Sequence, residues 1–253
     1  MVYVLLHIRY PFGELKITDD LLVSLNGKTL KPQARRLREM YGVLYDPKAV
    51  DNIPSDTILY CMYRNAILKE HLKLFRKKKV RFDITVIAPM VLGGELNKTL
   101  GHYHPKAVDN LSYPEIYQVL WGHATYLLQK KEGGTISDFV IIEVGAGDTL
   151  LIPPNYGHVT VNSGETPLVM ANLVSDTFTS VYEDFVSQGG AAYYLLKGGR
   201  LVPNPRYDQL PKPRSSKERF TVSKDLYTDF ISCPNCYSYL NDPSELEKSI
   251  PPI

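Results

Sequence analysis

The sequence has no apolar run approaching the roughly 18–20 residues that a membrane-spanning helix needs, so a helical membrane protein is not expected. Its start, MVYVLLHIRYPFG, sets His7 and Arg9 inside a very short apolar run. It has neither a basic leader nor a small-residue cleavage site, so it reads as a strand rather than a signal peptide. Cysteine is scarce, with only Cys61, Cys233 and Cys236. An odd, sparse count suits a reducing compartment better than a disulfide framework, and the expectation is a cytoplasmic protein. Cys233-Pro-Asn-Cys236 is a lone C-x2-C pair, half of a zinc site, and reads as structural or else intersubunit or redox-active. Charge of one sign is lacking too. The net value is +2, which argues against bulk nucleic-acid binding, since that needs Lys and Arg concentrated on one face. The local exception, Arg76-Lys77-Lys78-Lys79-Val80-Arg81, reads as a solvated turn before a strand, with steering of an anionic substrate as its functional alternative. Internal repeats and long low-complexity tracts are absent.

What is present is a globular composition, 44% hydrophobic, with 18 tyrosines. A Tyr-rich chain punctuated by Gly and Pro favours β structure. Asn26-Gly27 between apolar segments signals a hairpin. Short helices are expected over Pro32–Met40, with Ala34, Leu37 and Met40 three apart, and over Asn65–Phe75. From Val80 onward the pattern predicts strands at 80–88, 98–104, 115–121, 123–129, 138–144, 149–152, 157–162 and 167–174. Many short strands with closely spaced turns imply a sandwich or barrel. Residues 175–190 read as a helix or lid. Residues 192–207 read as a hairpin turning at Gly198-Gly199. After Tyr207 the chain becomes proline-rich and charged, so 208–253 is expected to be an extension packed on the surface or partly disordered.

Chemistry concentrates between Gly101 and Asn162. Successive same-face positions in a strand are two residues apart, so His102 and His104 would project together, as would Glu115 and Tyr117 from a second strand. His158 would join them from a strand distant in sequence. Three imidazoles and a carboxylate form a ligand set for one divalent ion, with Fe, Mn, Ni, Co, Zn or Cu all chemically suited. Such a set leaves one or two positions for substrate or water. His7, His71 and His123 have no such partners and read as ordinary histidines.

These segments resemble the two motif regions of the cupin superfamily. The first is Gly101, His102, His104, Glu115 and Gly122 (G…H-x-H…E-x6-G), and the second is Gly147, Pro153, His158 and Asn162 (G-x5-P-x4-H-x3-N). Further stretches are Arg35–Gly42, Thr85-Val86, Thr99–His104, Glu115–Tyr117, Pro153–Asn162 and Asn204–Tyr207. With these, the chain resembles the cupin-type glucose-6-phosphate isomerases of archaea and some bacteria over about residues 10–207.

That resemblance implies an all-β cupin jelly-roll barrel with short flanking helices and a C-terminal extension. The isomerase domain would span 1–207, with its barrel core at about 80–175, and the extension 208–253. It also implies a homodimer acting on a sugar phosphate; the expectations of a cytoplasmic protein without nucleic-acid or membrane partners rest on the composition above. One divalent metal ion per chain would sit on His102, His104, Glu115 and His158. Glu115 and Tyr117 would be catalytic, by a cis-enediol or by a metal-assisted hydride shift. Thr85, Thr99, Gly101 and Tyr182 would contact the phosphate.

Three departures from the family pattern stand out. The 105–114 loop is long, Asn155 replaces a motif glycine, and Ser180-Val181-Tyr182 replaces the usual His-Asp-Tyr. In a regular strand Thr99 would face away from His102, so a bulge or a strand start is expected near Gly101. Two functional alternatives follow, a metal-dependent cupin dioxygenase and a non-catalytic sugar-phosphate-binding cupin.

Overall fold

In a computed structural model, which describes residues 4–217 and 225–248, strands dominate and helices are short. In chain order the strands are β1 (Val4–Tyr10), β2 (Gly13–Thr18), β3 (Val23–Leu25), β4 (Lys28–Thr29), β5 (Gln33–Arg36), β6 (Ile58–Tyr63), β7 (Val80–Ile87), β8 (Val91–Leu92), β9 (Glu95–Leu96), β10 (Lys106–Val108) and β11 (Leu111–Ser112). There follow β12 (Glu115–Trp121), β13 (His123–Glu132), β14 (Thr135–Gly145), β15 (Thr149–Ile152), β16 (Tyr156–Asn162), β17 (Leu168–Ser175), β18 (Tyr193–Leu195), β19 (Leu201–Pro203) and β20 (Arg214–Ser215). The α-helices are α1 (Leu72–Lys78), α2 (Glu183–Ser187) and α3 (Leu226–Ser232).

Two sheets carry the fold. One has the order β15-β12-β17-β7-β6-β5 and the other β16-β13-β14-β20. From β12 onward the chain passes between them: β12 lies in the first, β13 and β14 in the second, β15 in the first, β16 in the second and β17 in the first. This is the jelly-roll weave of an all-β cupin fold. Between the sheets lies a core of Tyr60, Ile87, Val119, Leu150, Ile152 and Met170 facing Ala124, Tyr126, Leu128, Val140, Ile142 and Val144.

The outer face of the six-stranded sheet is also buried. Phe82, Ile84, Val86, Ile116, Val169 and Leu173 pack with Phe12, Leu15 and Ile17 of the N-terminal sheet, and with Leu226, Tyr227, Phe230, Tyr237 and Leu240 near the C-terminus. Residues 225–248 therefore contribute core rather than a polar fringe. The outer face of the second sheet is covered by Phe185, Ala191 and Leu195.

Most expected strands are present within a residue or a few, and Asn26-Gly27 turns β3 into β4 with φ values of 50° and 79°. Three expectations are corrected. Residues 33–36 are not helical; Ala34 pairs with Cys61 and Arg35 with Tyr60, and a 3-10 turn then covers Leu37–Glu39. Pairing to the edge of a large sheet overrides weak local helix propensity. The helix expected from Asn65 begins later, as α1 after a 3-10 turn at Lys69–His71, because Asn65 at φ +55° and the extended Leu68 both break the helical path. Residues 98–104 form no regular strand, only isolated bridges, among them Lys98 to Val161 and His102 to His158. Cys233 and Cys236 form a disulfide with Cα atoms 5.4 Å apart, while Cys61 is a buried thiol.

Candidate active site

Gly101 sets the geometry. Its φ of +87° breaks strand alternation, and an added Cβ would lie 2.6 Å from both Phe185 Cδ1 and Val159 Cγ2. Only glycine fits there without displacing its neighbours. The break answers the expected parity problem, since Thr99 and His102 line the same cavity despite their odd spacing. On one side of the break, Thr99 N donates to Thr160 O at 2.9 Å, and Thr160 N to Thr99 Oγ1 at 3.0 Å. On the other side, His102 and His158 exchange backbone hydrogen bonds of 3.2 and 3.0 Å. The third histidine thus arrives directly opposite the first.

Ligand atoms of His102, Glu115 and His158 lie within 4.8 Å of one another. His104 joins them, with Nε2 3.2 Å from His102 Nε2 and 3.4 Å from Glu115 Oε2. The Nδ1–H of His104 donates to Tyr113 O at 2.8 Å, which leaves its Nε2 lone pair turned inward. Glu115 Oε1 accepts from Asn172 Nδ2 at 2.6 Å. Glu115 Oε2 is buried without a hydrogen-bond partner, and its 3.4 Å approaches to His104 and His158 are too long for good hydrogen bonds. A buried carboxylate oxygen without a partner, facing imidazole lone pairs, fits a cation. Hard and borderline divalent ions accept this nitrogen and oxygen set.

The electrostatics agree with that fit. Burial, with the adjacent imidazoles and the guanidiniums of Arg64 and Arg81, holds His102 well below its ordinary range. Burial brings His158 down to about 4, against an upward pull from Glu115. Burial alone would raise the Glu115 carboxyl, but contact with His104 and the positive potential of His104, His158 and Arg81 outweigh it and leave the group low. Near neutrality the cluster therefore offers the neutral imidazoles of His102 and His158 beside the Glu115 carboxylate. Burial and the nearby Glu115 push the Tyr117 phenol well above 10, so it stays protonated; its Oη lies 3.2 Å from His158 Nε2.

A single small cavity gathers Thr85, Thr99, Gly101, His102, Glu115, Tyr117, His158 and Tyr182. His104 touches the cluster without lining that space. A larger groove, lined among others by His123 and Lys197, shares none of these residues. Sequence reasoning missed Arg64, Arg81, Asp83 and Asn172. The signal for three of them was strand alternation: Arg81, Asp83 and Thr85 share one face of β7, and the register runs Tyr117 to Asn172 to Asp83 across three strands. Arg64 follows β6 and carried no such mark.

Two of the three departures from the motif pattern, the long loop and Asn155, are linked to each other. Asn155 adopts φ +69°, which a glycine would supply and asparagine tolerates. Its Oδ1 accepts from Ser112 N at 3.1 Å and Lys106 Nζ at 3.0 Å, and its N donates to Ser112 Oγ at 2.7 Å. It thereby pins the β10–β11 hairpin that fills the long 105–114 loop. The ring of Tyr113, at the end of that loop, stacks on Phe178, which in turn lies against His104.

The sequence profile of the glucose-6-phosphate isomerase (GPI) family matches residues 34–212. The glucose-6-phosphate isomerase of Thermococcus gammatolerans is 31% identical over 200 residues, 78% of this chain and 96% of that protein. Those of Thermococcus litoralis and Pyrococcus furiosus are each 29% identical, covering 78% and 70% of this chain and 96% and 88% of theirs. Among solved structures, an oxalate oxidase aligns with a TM-score of 0.37 at 19% identity, over 49% of this chain and 55% of that one. The Bacillus subtilis oxalate decarboxylase gives 0.34 at 21%, over 48% and 27%. These two likenesses are partial and say nothing of activity.

Proposed function

The chain belongs to the glucose-6-phosphate isomerase family, and from that premise we propose how its cavity performs the reaction. The protein is an aldose–ketose isomerase that interconverts glucose 6-phosphate and fructose 6-phosphate, and its cluster suits a metal ion. The observation that carries the reading is the convergence of His102, Glu115 and His158, with an unpartnered Glu115 Oε2, in the cavity that also holds Thr85, Thr99, Gly101 and Tyr182.

One divalent ion per chain, of Fe, Mn, Ni, Co or Zn, would be held by His102, His104, Glu115 and His158. Bound there, it supplies Lewis acidity to sugar oxygens that gain negative charge. The phosphoryl group lies along Thr85, Thr99, Gly101 and Tyr182, where neutral donors approach closely. Glu115 takes the proton from the carbon beside the carbonyl of the open-chain sugar. The C–H electron pair becomes the carbon–carbon double bond of a cis-enediol as the carbonyl oxygen gains a proton. Return of a proton to the neighbouring carbon completes the exchange. Tyr117, kept as a phenol, donates to the sugar oxygens and relays between them.

A second route, direct transfer of the hydrogen with its electron pair between the two carbons, is favoured by one observation. Asn172 occupies Glu115 Oε1, and Oε2 is turned to the imidazoles that would share an ion with it, which would make Glu115 a weak base. Deuterium oxide separates the routes, because the proton route washes label into the product and the direct transfer does not.

We read residues 1–207 as the isomerase domain and 208–253 as an extension outside the family profile, in a cytoplasmic homodimer without nucleic-acid or membrane partners. The family profile's end at residue 212 and the net charge of +2 support that reading. A coupled dehydrogenase assay with fructose 6-phosphate, run in air and under nitrogen, tests the function. Equal turnover in both is expected. Product only in air would place the chain with dioxygenases, and saturable binding without turnover would make it a sugar-phosphate-binding protein.

A further inference from the structure

Arg64 and Arg81 are charged side chains of the cavity wall whose part in isomerisation is confined to the positive potential they set at His102 and, for Arg81, at Glu115. Both lean on Asp83, which is fully buried, while their own side chains are 30% and 14% exposed. Asp83 Oδ2 accepts from Arg64 Nη1 at 2.6 Å and from Arg81 Nε at 2.8 Å, and Oδ1 accepts from Asn65 N at 2.9 Å. Two guanidiniums thus share one carboxylate, and a positive charge is left over. Arg81 uses only Nε on Asp83, and its terminal fork has no protein partner among the described residues. Arg64 Nη2 meets only Met62 Sδ at 3.5 Å, a weak acceptor. A guanidinium fixed at its base with free ends is matched to a bidentate oxyanion, phosphate above all.

Sheet register places this pair. Arg81 lies opposite Val174, which lies opposite Glu115, whereas Thr85 lies opposite Met170. Along the cavity face of β7 the arginine end and the threonine end are four residues, about 13 Å, apart. The cavity therefore has an anion-binding character at both ends, with Glu115 beside the arginine end.

We propose that Arg64 and Arg81 form a second phosphoryl subsite at the Glu115 end of the cavity, so that sugars phosphorylated at both ends of the carbon chain bind there in preference to the monophosphate and inhibit its turnover. The subsite rests on the isomerase reading only for the first phosphoryl, along Thr85, Thr99, Gly101 and Tyr182.

Calorimetric titration of fructose 1,6-bisphosphate and fructose 6-phosphate into the full chain tests the subsite. The wild type is expected to bind the bisphosphate at least tenfold more tightly. Arg81→Lys keeps a charge for Asp83 and loses the fork; Arg64→Lys does the same for the other arm. In each, the preference should fall about tenfold, with thermal melting checking the fold. Equal affinity of the two sugars for the wild type overturns the proposal without recourse to any variant, as does an unchanged preference in both folded variants. Turnover without bisphosphate preference removes the subsite alone, whereas bisphosphate preference without turnover removes the isomerase reading and leaves the subsite.

Discussion

Asn172 shows how much of this site depends on a residue without a motif. Its amide donates to Glu115 Oε1 at 2.6 Å and its neighbour across the register is Asp83. Replacing it with alanine leaves a buried carboxylate oxygen without a donor, at a cost of about 1–3 kcal/mol. Partners that orient metal ligands change affinity or activity by roughly 10- to 100-fold. Asn172→Ala is therefore expected to lower both bound metal, read by elemental analysis, and kcat/KM by that range. Wild-type values of both would show that Glu115 is held without it. The four candidate ligand residues were legible because two histidines two apart, a carboxylate and a third histidine make a recognisable metal-binding set. Arg81 was not, because it closes a run of basic residues of which Lys79 adopts φ +52° as the helix ends, so a solvated turn and a cavity wall share one string of letters.

At the scale of elements, the β10–β11 hairpin is held by Asn155, which supplies both a left-handed backbone and the side-chain contacts to Ser112 and Lys106. Glycine keeps the first and loses the second, whereas alanine loses both. Asn155→Ala should lower the melting temperature more than Asn155→Gly, by about 1 kcal/mol in stability. The reverse order would show that the backbone conformation is unstrained.

Another element, β20, lies parallel to β14, with Arg214 donating to both carboxylate oxygens of Asp138 at 2.9 and 2.7 Å. The hydrogen bonds from Arg214 hold Asp138 below the usual range despite some burial, and Tyr156 adds to the effect. A lowered native value means the contribution is present above the unfolded value, near 3.9, and is lost as pH falls through the native one. Asp138→Asn should therefore flatten the acid limb of a melting-temperature profile and leave a smaller difference from wild type at the lowest pH. Parallel curves across the whole range would contradict this. The sequence showed the long 105–114 loop and the exchanged glycine as separate facts. That one side chain joins them is a matter of distance, which spacing along the chain does not encode.

For the molecule as a whole, β7 and β12 to β17 could be anticipated from the pattern of strands and turns, and the C-terminal region could not. Tyr227, Phe230, Tyr237 and Tyr239 sit in a one-to-two-turn helix and 3-10 turns too short to show a period, amid prolines and charges. Yet they cover Phe82 and its neighbours, and Phe75 lies 4.5 Å from Phe230 between ring centroids. Phe230→Ala should cost about 3–5 kcal/mol, as a fully buried phenylalanine does, measured by urea unfolding. A loss under about 1 kcal/mol would return this region to the role of surface appendage. The 3-10 turn at Pro243–Lys248 also packs against β10 and β11, so the extension reaches the hairpin whose loop positions His104.

The central claim is that His102, His104, Glu115 and His158 hold an ion that isomerisation requires. It is tested most directly by following fructose 6-phosphate turnover after chelation, with residual metal counted by elemental analysis, and again after adding back a divalent ion. Turnover should fall in proportion to metal removed and return with the ion. Full turnover by protein shown to be free of metal would contradict the account.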